Sequence, residues 1–472
     1  MKILVICSES YSASDSSPLT RAVSSIVSAY RNWGAKVLGF SPYFSKLTSE
    51  NSARLERNFV EKLGNREYST LRSIKYEDDL FIQYEDYFGR DGIYGDPGEK
   101  SYSDNHVRFA FLASAALNYC LETNFKPNAI HVHEWGGIAG ALTKTVYKDC
   151  FGNIPVVLTT HNICFDYHCG PDDIPLIGLP PEGFDIDGYE FWGKVSMLKA
   201  AILYSDKVVF TSSSYLFYLL SSDLQGGMRG FLESQKRKLF SIQSGIDYAS
   251  WSLPSKGELL FKQQKKEALR AEFGLEQDSS LLMYSHLDAY SGSSAQIIST
   301  ILANLLNLDL QLAIGISEDN ENYSYFAAIQ EKHPHKMALL PLDESDESLY
   351  QRLAASDTLF SIGSSDPSLS LFLKASAAGA ISISNKRSQK PFLYSVPYEP
   401  SLEVEDSSTR ANSFVSESTS PDLILEQVLI AESIFREKKR LWSKFVSNAC
   451  SLKVSWTDTA KNYLLLLGST GL

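Results

Sequence analysis

The stretch NAIHVHEWGGIAGALTKTVYKDCFGNIPVVLTTHNICFDY, residues 128–167, decides the fold. It holds two short apolar runs, residues 129–132 and 154–160, with a helix-length segment at 137–148 between them. This order predicts a strand–helix–strand unit of a parallel sheet, and ligands of such sheets collect where the strands end. Because both runs end in polar residues, we expect the Glu134 and His161 regions to line one crevice.

Apolar runs and helical periodicity alternate in the same way outside this stretch. The chain opens with an apolar run at residues 2–7, followed by a helical pattern at 18–33. The first half is further predicted to contain an amphipathic helix at 101–121, a long loop at 169–188 and a helix at 191–204. Such an opening is typical of a doubly wound sheet.

A second α/β series follows a polar stretch at 247–266 that is typical of a linker. The series begins with an apolar run at 281–286. Its end is predicted to consist of a loose loop at 406–420, one long helix at 421–445 and a last helix at 456–466. The outline predicts an α/β protein with two Rossmann-like domains of similar size, facing each other across a cleft.

Composition and charge exclude several classes of protein. Hydrophobic residues make up 44% of the 472 residues and charged residues 21%, as in ordinary globular proteins. The net charge of −12 indicates neither a nucleic-acid partner nor an anionic membrane surface. The chain has no run of eighteen apolar residues, and it starts directly with a predicted strand, so neither a membrane span nor a signal peptide is expected. We therefore predict a soluble, cytoplasmic protein.

The cysteines and histidines do not have the spacing of a metal site. Among the six cysteines, only Cys164 and Cys169 form a cluster, and no second pair lies nearby, so a zinc site is not favoured. Reduced thiols are expected. His131 and His133 alternate along a predicted strand and so point to the same face, where packing or hydrogen bonding is favoured over metal binding. No metal or cofactor is predicted.

Four motifs stand in order along the chain: MKILVICSE at 1–9, HVHEW at 131–135, THN at 160–162, and GID followed by a tryptophan at 245–251. Together they resemble the bacterial glycogen synthase and plant starch synthase family, whose motifs are M-K-I-L-x-V-x-S-E, H-A-H-D-W, T-x-H-N and N-G-I-D-x-x-x-W. Further matches extend the resemblance over the full length, at 104–109, 196–200, 226–232 and 455–463. The resemblance is more specific in the first half than in the second.

This resemblance implies the GT-B fold, in which two Rossmann-like domains face each other and the C-terminal helices cross back to the first. Residues 1–250 are then the N-terminal, acceptor-side domain, residues 251–445 the C-terminal, donor-side domain, and residues 446–472 the returning helix. It also implies a metal-independent, retaining transfer of glucose from ADP-glucose to the 4-OH of an α-1,4-glucan. Such a transfer needs cations or amide donors on the departing diphosphate.

The chain departs from the family where the donor's diphosphate is held. In the first loop, Asp15 replaces the family's lysine, both glycines are lost, and Arg21 replaces an aspartate; we expect Asp15 and Arg21 to pair. In the second domain, His286 and Ser291 replace the diphosphate-binding arginine and lysine. Losing one preorganised donor costs about 3–4 kcal/mol of transition-state stabilisation, so these losses predict very slow transfer.

Two further departures concern the donor sugar. Asp366 stands where the family has a glutamate that contacts this sugar, and the sequence is consistent with either substrate binding or a helix cap. The family's T-G-G-L loop is replaced by NKRSQK at 385–390. Its basic residues, Lys386, Arg387 and Lys390, are either replacement cations or part of a solvated loop.

Three residues of the retained motifs are candidate site residues. His161 corresponds to the family's active-site histidine, which contacts the transferred sugar, although a hydrogen-bonded histidine at a strand end is equally consistent. Glu134 stands where the family has a sugar-facing aspartate, and it either accepts from sugar hydroxyls or joins an ion pair. Asn162 is predicted to bind substrate beside them.

These observations predict a homologue of the glycogen and starch synthases in α-glucan metabolism that is non-catalytic or weakly active. It would bind α-glucan or act as the partner of a true synthase. The first alternative is an active retaining glucosyltransferase that uses ADP-glucose or another sugar nucleotide. The second is a protein-interaction scaffold.

Overall fold

Two units, each built on a parallel sheet, make up the protein in this computed structural model. Unit 1 comprises Met1–Gly245 with Trp456–Leu472, and unit 2 comprises Ile246–Ser455. The structure describes residues 1–9, 17–44, 54–76, 79–96, 101–163, 168–221, 227–254, 257–287, 294–342, 345–362, 368–385, 394–398 and 409–468.

Twelve strands are described in unit 1. They are β1 (Lys2–Cys7), β2 (Lys36–Pro42), β3 (Arg54–Leu63), β4 (Arg66–Tyr76), β5 (Asp79–Gln83), β6 (Ala129–His133), β7 (Val156–Thr160), β8 (His168–Cys169), β9 (Glu190–Phe191), β10 (Lys194–Ser196), β11 (Lys207–Phe210) and β12 (Leu239–Ser241). Nine of them form one sheet in the order β12-β11-β7-β6-β1-β2-β5-β4-β3, parallel from β12 to β5. The chain winds away from β1 in both directions, so the strand order reverses between β1 and β6, which is where such sheets bind ligands.

Nine helices precede residue 235 in the described part of unit 1. They are α1 (Pro18–Asn32), α2 (Glu85–Phe88), α3 (Asn105–Glu122), α4 (Ile138–Lys144), α5 (Lys148–Phe151), α6 (Ile174–Ile177), α7 (Met197–Tyr204), α8 (Ser213–Ser221) and α9 (Arg229–Ser234). The opening strand and helix and the central strand–helix–strand unit are confirmed, with the central helix interrupted between α4 and α5.

Three predictions for unit 1 were wrong. The helix predicted at 101–121 is α3, which is buried on nearly every side rather than amphipathic, because apolar residues surround its axis and both faces are covered. The predicted loop at 169–188 contains α6 and two short 3₁₀ helices. The first part of the predicted helix at 191–204 belongs to a small antiparallel sheet, β8-β10-β9. Gly193, with φ of +76°, turns the chain between β9 and β10, which ends helical periodicity there.

Unit 2 has a six-stranded parallel sheet in the order β15-β14-β13-β16-β17-β18. Its strands are β13 (Leu281–Leu287), β14 (Leu310–Ile316), β15 (Met337–Pro341), β16 (Thr358–Phe360), β17 (Ile381–Asn385) and β18 (Ser413–Ser416). Its described helices are α10 (Tyr248–Trp251), α11 (Glu258–Phe273), α12 (Ser294–Leu306), α13 (Tyr323–Lys332), α14 (Asp346–Ala355), α15 (Ser370–Ala377), α16 (Pro421–Glu437) and α17 (Lys439–Cys450). Here the strand order reverses between β13 and β16.

The predicted linker at 247–266 was wrong, since α10 and most of α11 occupy it. Most of α11 is exposed, which accounts for its polar composition, and its buried Lys262 ammonium donates to the carbonyls of Ala354, Ser356 and Ala378, which end α14 and α15. The loose loop predicted at 406–420 contains β18, and the single long helix predicted at 421–445 is divided into α16 and α17.

The last helix, α18 (Trp456–Gly468), belongs to unit 1, as the family resemblance implies. Its Ala460, Tyr463 and Leu467 pack with α1 and the sheet, and the Thr159 hydroxyl donates to the Tyr463 hydroxyl at 3.0 Å. The described helices include none that is both long and apolar enough to cross a bilayer.

Candidate active site at the strand ends

Glu134 connects the ends of β6 and β7 in unit 1. Its Oε1 accepts hydrogen bonds from the backbone N–H groups of His161 and Asn162, the latter at 3.1 Å. Glu134 itself has φ of +49°, a conformation that non-glycine residues rarely adopt. Because β6 and β7 are parallel neighbours, the prediction that the Glu134 and His161 regions lie together is confirmed. The carboxylate therefore holds the turn after β7, whatever else it binds.

Three histidines form a row across these strands. The ring of His131 is fully buried, with the Tyr30 hydroxyl at 3.0 Å from Nδ1 and the Thr159 hydroxyl at 2.8 Å from Nε2. His133 lies on the same face, with its ring centroid 4.2 Å from that of His131, as the alternation predicts. Its Nδ1 lies 3.1 Å from Nε2 of His161, so one of the two nitrogens carries the shared proton.

Burial keeps this histidine row neutral. It lowers the pKa of His131 to about 3 and that of His161 to about 4, and the pKa of His133 lies well below its ordinary value for the same reason. A neutral imidazole can exchange a hydrogen bond with a sugar hydroxyl, but it brings no positive charge to a phosphate.

Glu9 adds a second carboxylate at the end of β1. It is buried and accepts from the Thr20 hydroxyl at 3.1 Å and from the Tyr94 hydroxyl at 2.9 Å, and also from the Ser17 hydroxyl. Burial, with a smaller effect of the charge of Glu9, raises the pKa of Glu134 to about 7 against the two backbone hydrogen bonds, which lower it. The histidine row, Glu134 and Glu9 are thus neutral or acidic, and such groups suit hydroxyl groups better than anions.

The corresponding point of unit 2 contains His286, near the end of β13. Its Nδ1 lies 2.9 Å from the Tyr284 hydroxyl. Burial, with added effects of the positive charges of Arg352 and Lys374, lowers the pKa of His286 to about 4. The imidazole is therefore neutral at pH 7, and it stands next to two cations rather than being one.

Arg352 and Lys374 differ in how they are paired. Arg352, on α14, is 8% exposed, and its Nη1 has no hydrogen-bond partner among the described residues. The Lys374 ammonium, on α15, lies 2.9 Å from Asp346 Oδ1 and 4.3 Å from the centre of the Trp251 ring. Sequence reasoning missed both cations, because neither stands in a motif and only packing brings α14 and α15 beside β13.

Comparisons with known proteins show which proteins this chain resembles. Residues 2–234 match the starch synthase catalytic domain family. A glycogen synthase of Syntrophotalea carbinolica is 26% identical over 82% of this chain and 80% of its own length, and one of Pseudothermotoga lettingae is 25% identical over 98% of each. The catalytic domain of starch synthase IV from Arabidopsis thaliana, bound to ADP and acarbose, superposes with a TM-score of 0.84 over 99% of both chains at 20% identity. The chain is similar to the glycogen and starch synthases over most of its length. Its fold is GT-B.

Within this synthase homologue, three of the predicted site residues, Glu134, His161 and Asn162, lie together in unit 1. The Asn162 side chain accepts from the Tyr215 hydroxyl at 3.3 Å. The remaining predicted positions lie outside the described residues: Asp15, Ser291, Asp366, Lys386, Arg387 and Lys390. The expected pairing of Asp15 with Arg21 therefore stays a prediction.

Proposed function

We propose that this synthase homologue acts in α-glucan metabolism as a glucan-binding protein or as the partner of an active synthase, with little or no glucose transfer of its own. The observation that carries the proposal is the neutral His286, which stands where the family resemblance implies an arginine on the donor's diphosphate. Losing one such donor costs about 3–4 kcal/mol in the transition state, a factor of roughly a hundred to a thousand in rate.

The groups kept in unit 1 support the glucan-binding part of the proposal. His161 and Asn162 offer hydrogen-bonding groups at a strand end, beside the carboxylate of Glu134. Trp192 is 80% exposed at the turn between β9 and β10, where the Gly193 N–H donates to Glu190 Oε1 at 2.6 Å. A rigidly presented indole is a suitable surface for the apolar face of a glucose unit.

Two measurements on the full chain test the proposal. Isothermal titration with ADP and with maltoheptaose is expected to show binding of the maltooligosaccharide and none of the nucleotide. Incubation with radiolabelled ADP-glucose and glycogen is expected to give no incorporation above a no-enzyme control. Micromolar binding of ADP together with glucose incorporation would contradict the proposal.

Arg352 favours a second candidate, an active retaining glucosyltransferase in which a relocated cation serves the diphosphate. Its guanidinium is buried near His286 and has an Nη1 without a hydrogen-bond partner among the described residues, so it retains donor capacity for an anion.

The variant Arg352→Ala separates the two candidates. In an active enzyme it would lower kcat/KM for ADP-glucose by roughly a hundredfold or more, whereas Arg436→Ala, an exposed arginine of the same unit, would leave it unchanged. Under our proposal neither variant changes the background rate, and neither alters the binding of maltoheptaose.

A further inference from the structure

Three side chains that can bind a metal converge in unit 1 although they are distant in sequence. His106 lies in the first turn of α3, Cys169 lies in β8, and Asp173 ends the 3₁₀ helix Pro171–Asp173. One donor atom from each lies within 4.8 Å of the other two. The shortest separation given joins His106 Nε2 to Asp173 Oδ2 at 3.3 Å.

The imidazole of His106 indicates that this cluster accepts a ligand. The residue is 8% exposed, and its Nε2 has no hydrogen-bond partner among the described residues, despite its closeness to Asp173. A buried polar atom without a partner costs about 1–3 kcal/mol. A cation at the centre of the cluster would accept the lone pair of Nε2 and remove that cost.

The surrounding groups suit metal binding. Asp173 Oδ2 accepts from the Gly170 N–H at 3.3 Å, the kind of outer hydrogen bond that orients a ligating carboxylate. Cys169 is 7% exposed and unpaired with any other cysteine.

We propose that His106, Cys169 and Asp173 bind a transition-metal ion, Zn²⁺ by preference, with water in the fourth position. Imidazole, thiolate and carboxylate are the three ligand types that zinc takes in proteins. Tetrahedral coordination at zinc bond lengths places ligand atoms roughly 3.5 Å apart, so no pair of donor atoms, all within 4.8 Å of one another, has to approach by more than about 1.3 Å. The Cys169 thiol releases its proton as the zinc–sulfur bond forms.

The ion would fasten the segment that contains β8 and α6 to the start of α3. The site shares no residue with those proposed above for sugar transfer or glucan binding. Sequence spacing could not indicate it, because His106 precedes Cys169 by 63 residues and only the packing of α3 brings them together.

Zinc content and cobalt spectroscopy test the site on the full chain. Protein purified from zinc-supplemented medium and dialysed is expected to retain about one zinc per chain by plasma mass spectrometry. Replacement by Co²⁺ is expected to give a thiolate-to-cobalt charge-transfer band in the near ultraviolet. His106→Ala and Cys169→Ser should weaken zinc binding by more than about tenfold. Substituting a residue that only hydrogen-bonds to a ligand already costs about that much, and these variants remove a ligand itself.

Cys150→Ser is the matched control, because Cys150 is an exposed cysteine of the same unit and should leave both signals unchanged. Wild-type protein that retains no zinc and gives no charge-transfer band would overturn the proposal, and this reading does not depend on whether the variants fold. A thiolate-to-cobalt charge-transfer band that persists in the Cys169→Ser variant would also overturn the proposal.

Discussion

The reversal points of the two sheets differ in how their polar groups are paired. In unit 1, Glu134 accepts from two backbone amides and His161 shares a proton with His133, so these side chains are bound to the fold itself, although His133 Nε2 and the Thr160 hydroxyl have no hydrogen-bond partner among the described residues. In unit 2, the family motif is lost at His286, and beside it Arg352 keeps a buried Nη1 without a described partner.

This difference shows that a retained sequence motif is not by itself evidence of catalytic activity. Glu134 and His161 would be kept for the turn after β7 even in a chain that transfers no sugar, since removing the carboxylate leaves two buried amides unpaired. The departure at His286 is more informative, because a neutral imidazole replaces the positive charge that the family resemblance implies for the donor's diphosphate.

The sharpest test of the contrast compares a buried arginine from each unit. Arg108 of unit 1 donates through Nε and Nη1 to the Tyr87 and Ile93 carbonyls at 2.8 and 3.0 Å and to Asn105 Oδ1 at 2.5 Å, while its Nη2 has no partner among the described residues. Arg108→Met should lower the free energy of unfolding by about 4 kcal/mol, because it leaves these acceptors unpaired. Arg352→Met should leave it unchanged or raise it by about 1 kcal/mol.

Urea unfolding of both variants provides the measurement. Equal losses of stability would mean that Arg352 is as fully paired as Arg108, and the contrast between the units would fail.

The pH dependence of stability tests the acidic character of the unit 1 site. The pKa of Glu134 is about 7 in the fold and about 4.5 in a free glutamate, so the folded state binds more protons between these values and the carboxyl stabilises it at low pH. This contribution is lost as pH rises through 7. Relative to the Glu134→Gln variant, the free energy of unfolding of the wild type should fall by about 3 kcal/mol between pH 5 and pH 8.

Urea unfolding at several pH values checks this difference. The histidine row acts in the opposite direction, since its lowered pKa values reduce stability as pH falls below 6.5, but it is common to both proteins and cancels. Glu182→Gln, at an exposed glutamate of the same unit, should follow the wild type. Parallel curves for Glu134→Gln and wild type would show that the carboxyl is not buried as described.

A smaller effect, on glucan binding, is expected when the exposed indole of Trp192 in unit 1 is removed. Trp192→Ala should weaken maltoheptaose binding by about 1 kcal/mol, roughly fivefold, through the loss of one stacking contact. Isothermal titration measures the change. Trp33→Ala is the control, because Trp33 is also exposed in unit 1 but its Nε1–H donates to the Thr457 carbonyl. Equal affinities for Trp192→Ala and the control would remove Trp192 from the glucan surface.

The smallest effect concerns the ion pair of Lys374 with Asp346 in unit 2. Asp346→Asn should change the free energy of unfolding by less than about 1 kcal/mol, because the aspartate is 41% exposed and solvent screens the pair. Repeating the urea titration in high salt should reduce the difference further. A loss of several kcal/mol would mean that Lys374 is held as firmly as the groups of unit 1.

The local sequence pattern was sufficient to predict several strands and the location of the candidate site at the ends of β6 and β7. The apolar runs that became β1, β6, β7 and β13 are short and bounded by polar residues, and in a parallel sheet such runs carry their own strand signal. The prediction failed where long-range packing overrides local pattern. Helix α3 is apolar all round because it is covered on both sides, and α11 is polar because most of its residues are exposed and its buried Lys262 reaches the ends of two other helices.

By itself, the sequence determined the alternation of strands and helices, the family, and the position of Glu134 and His161 at neighbouring strand ends, since period, order and motif are all local properties of the chain. Only the tertiary structure decided which partners those side chains have, that Arg352 and Lys374 stand beside His286, and that His106, Cys169 and Asp173 meet. The physical reason is that burial and pairing depend on elements that are tens of residues apart, and no spacing rule records which of them pack together.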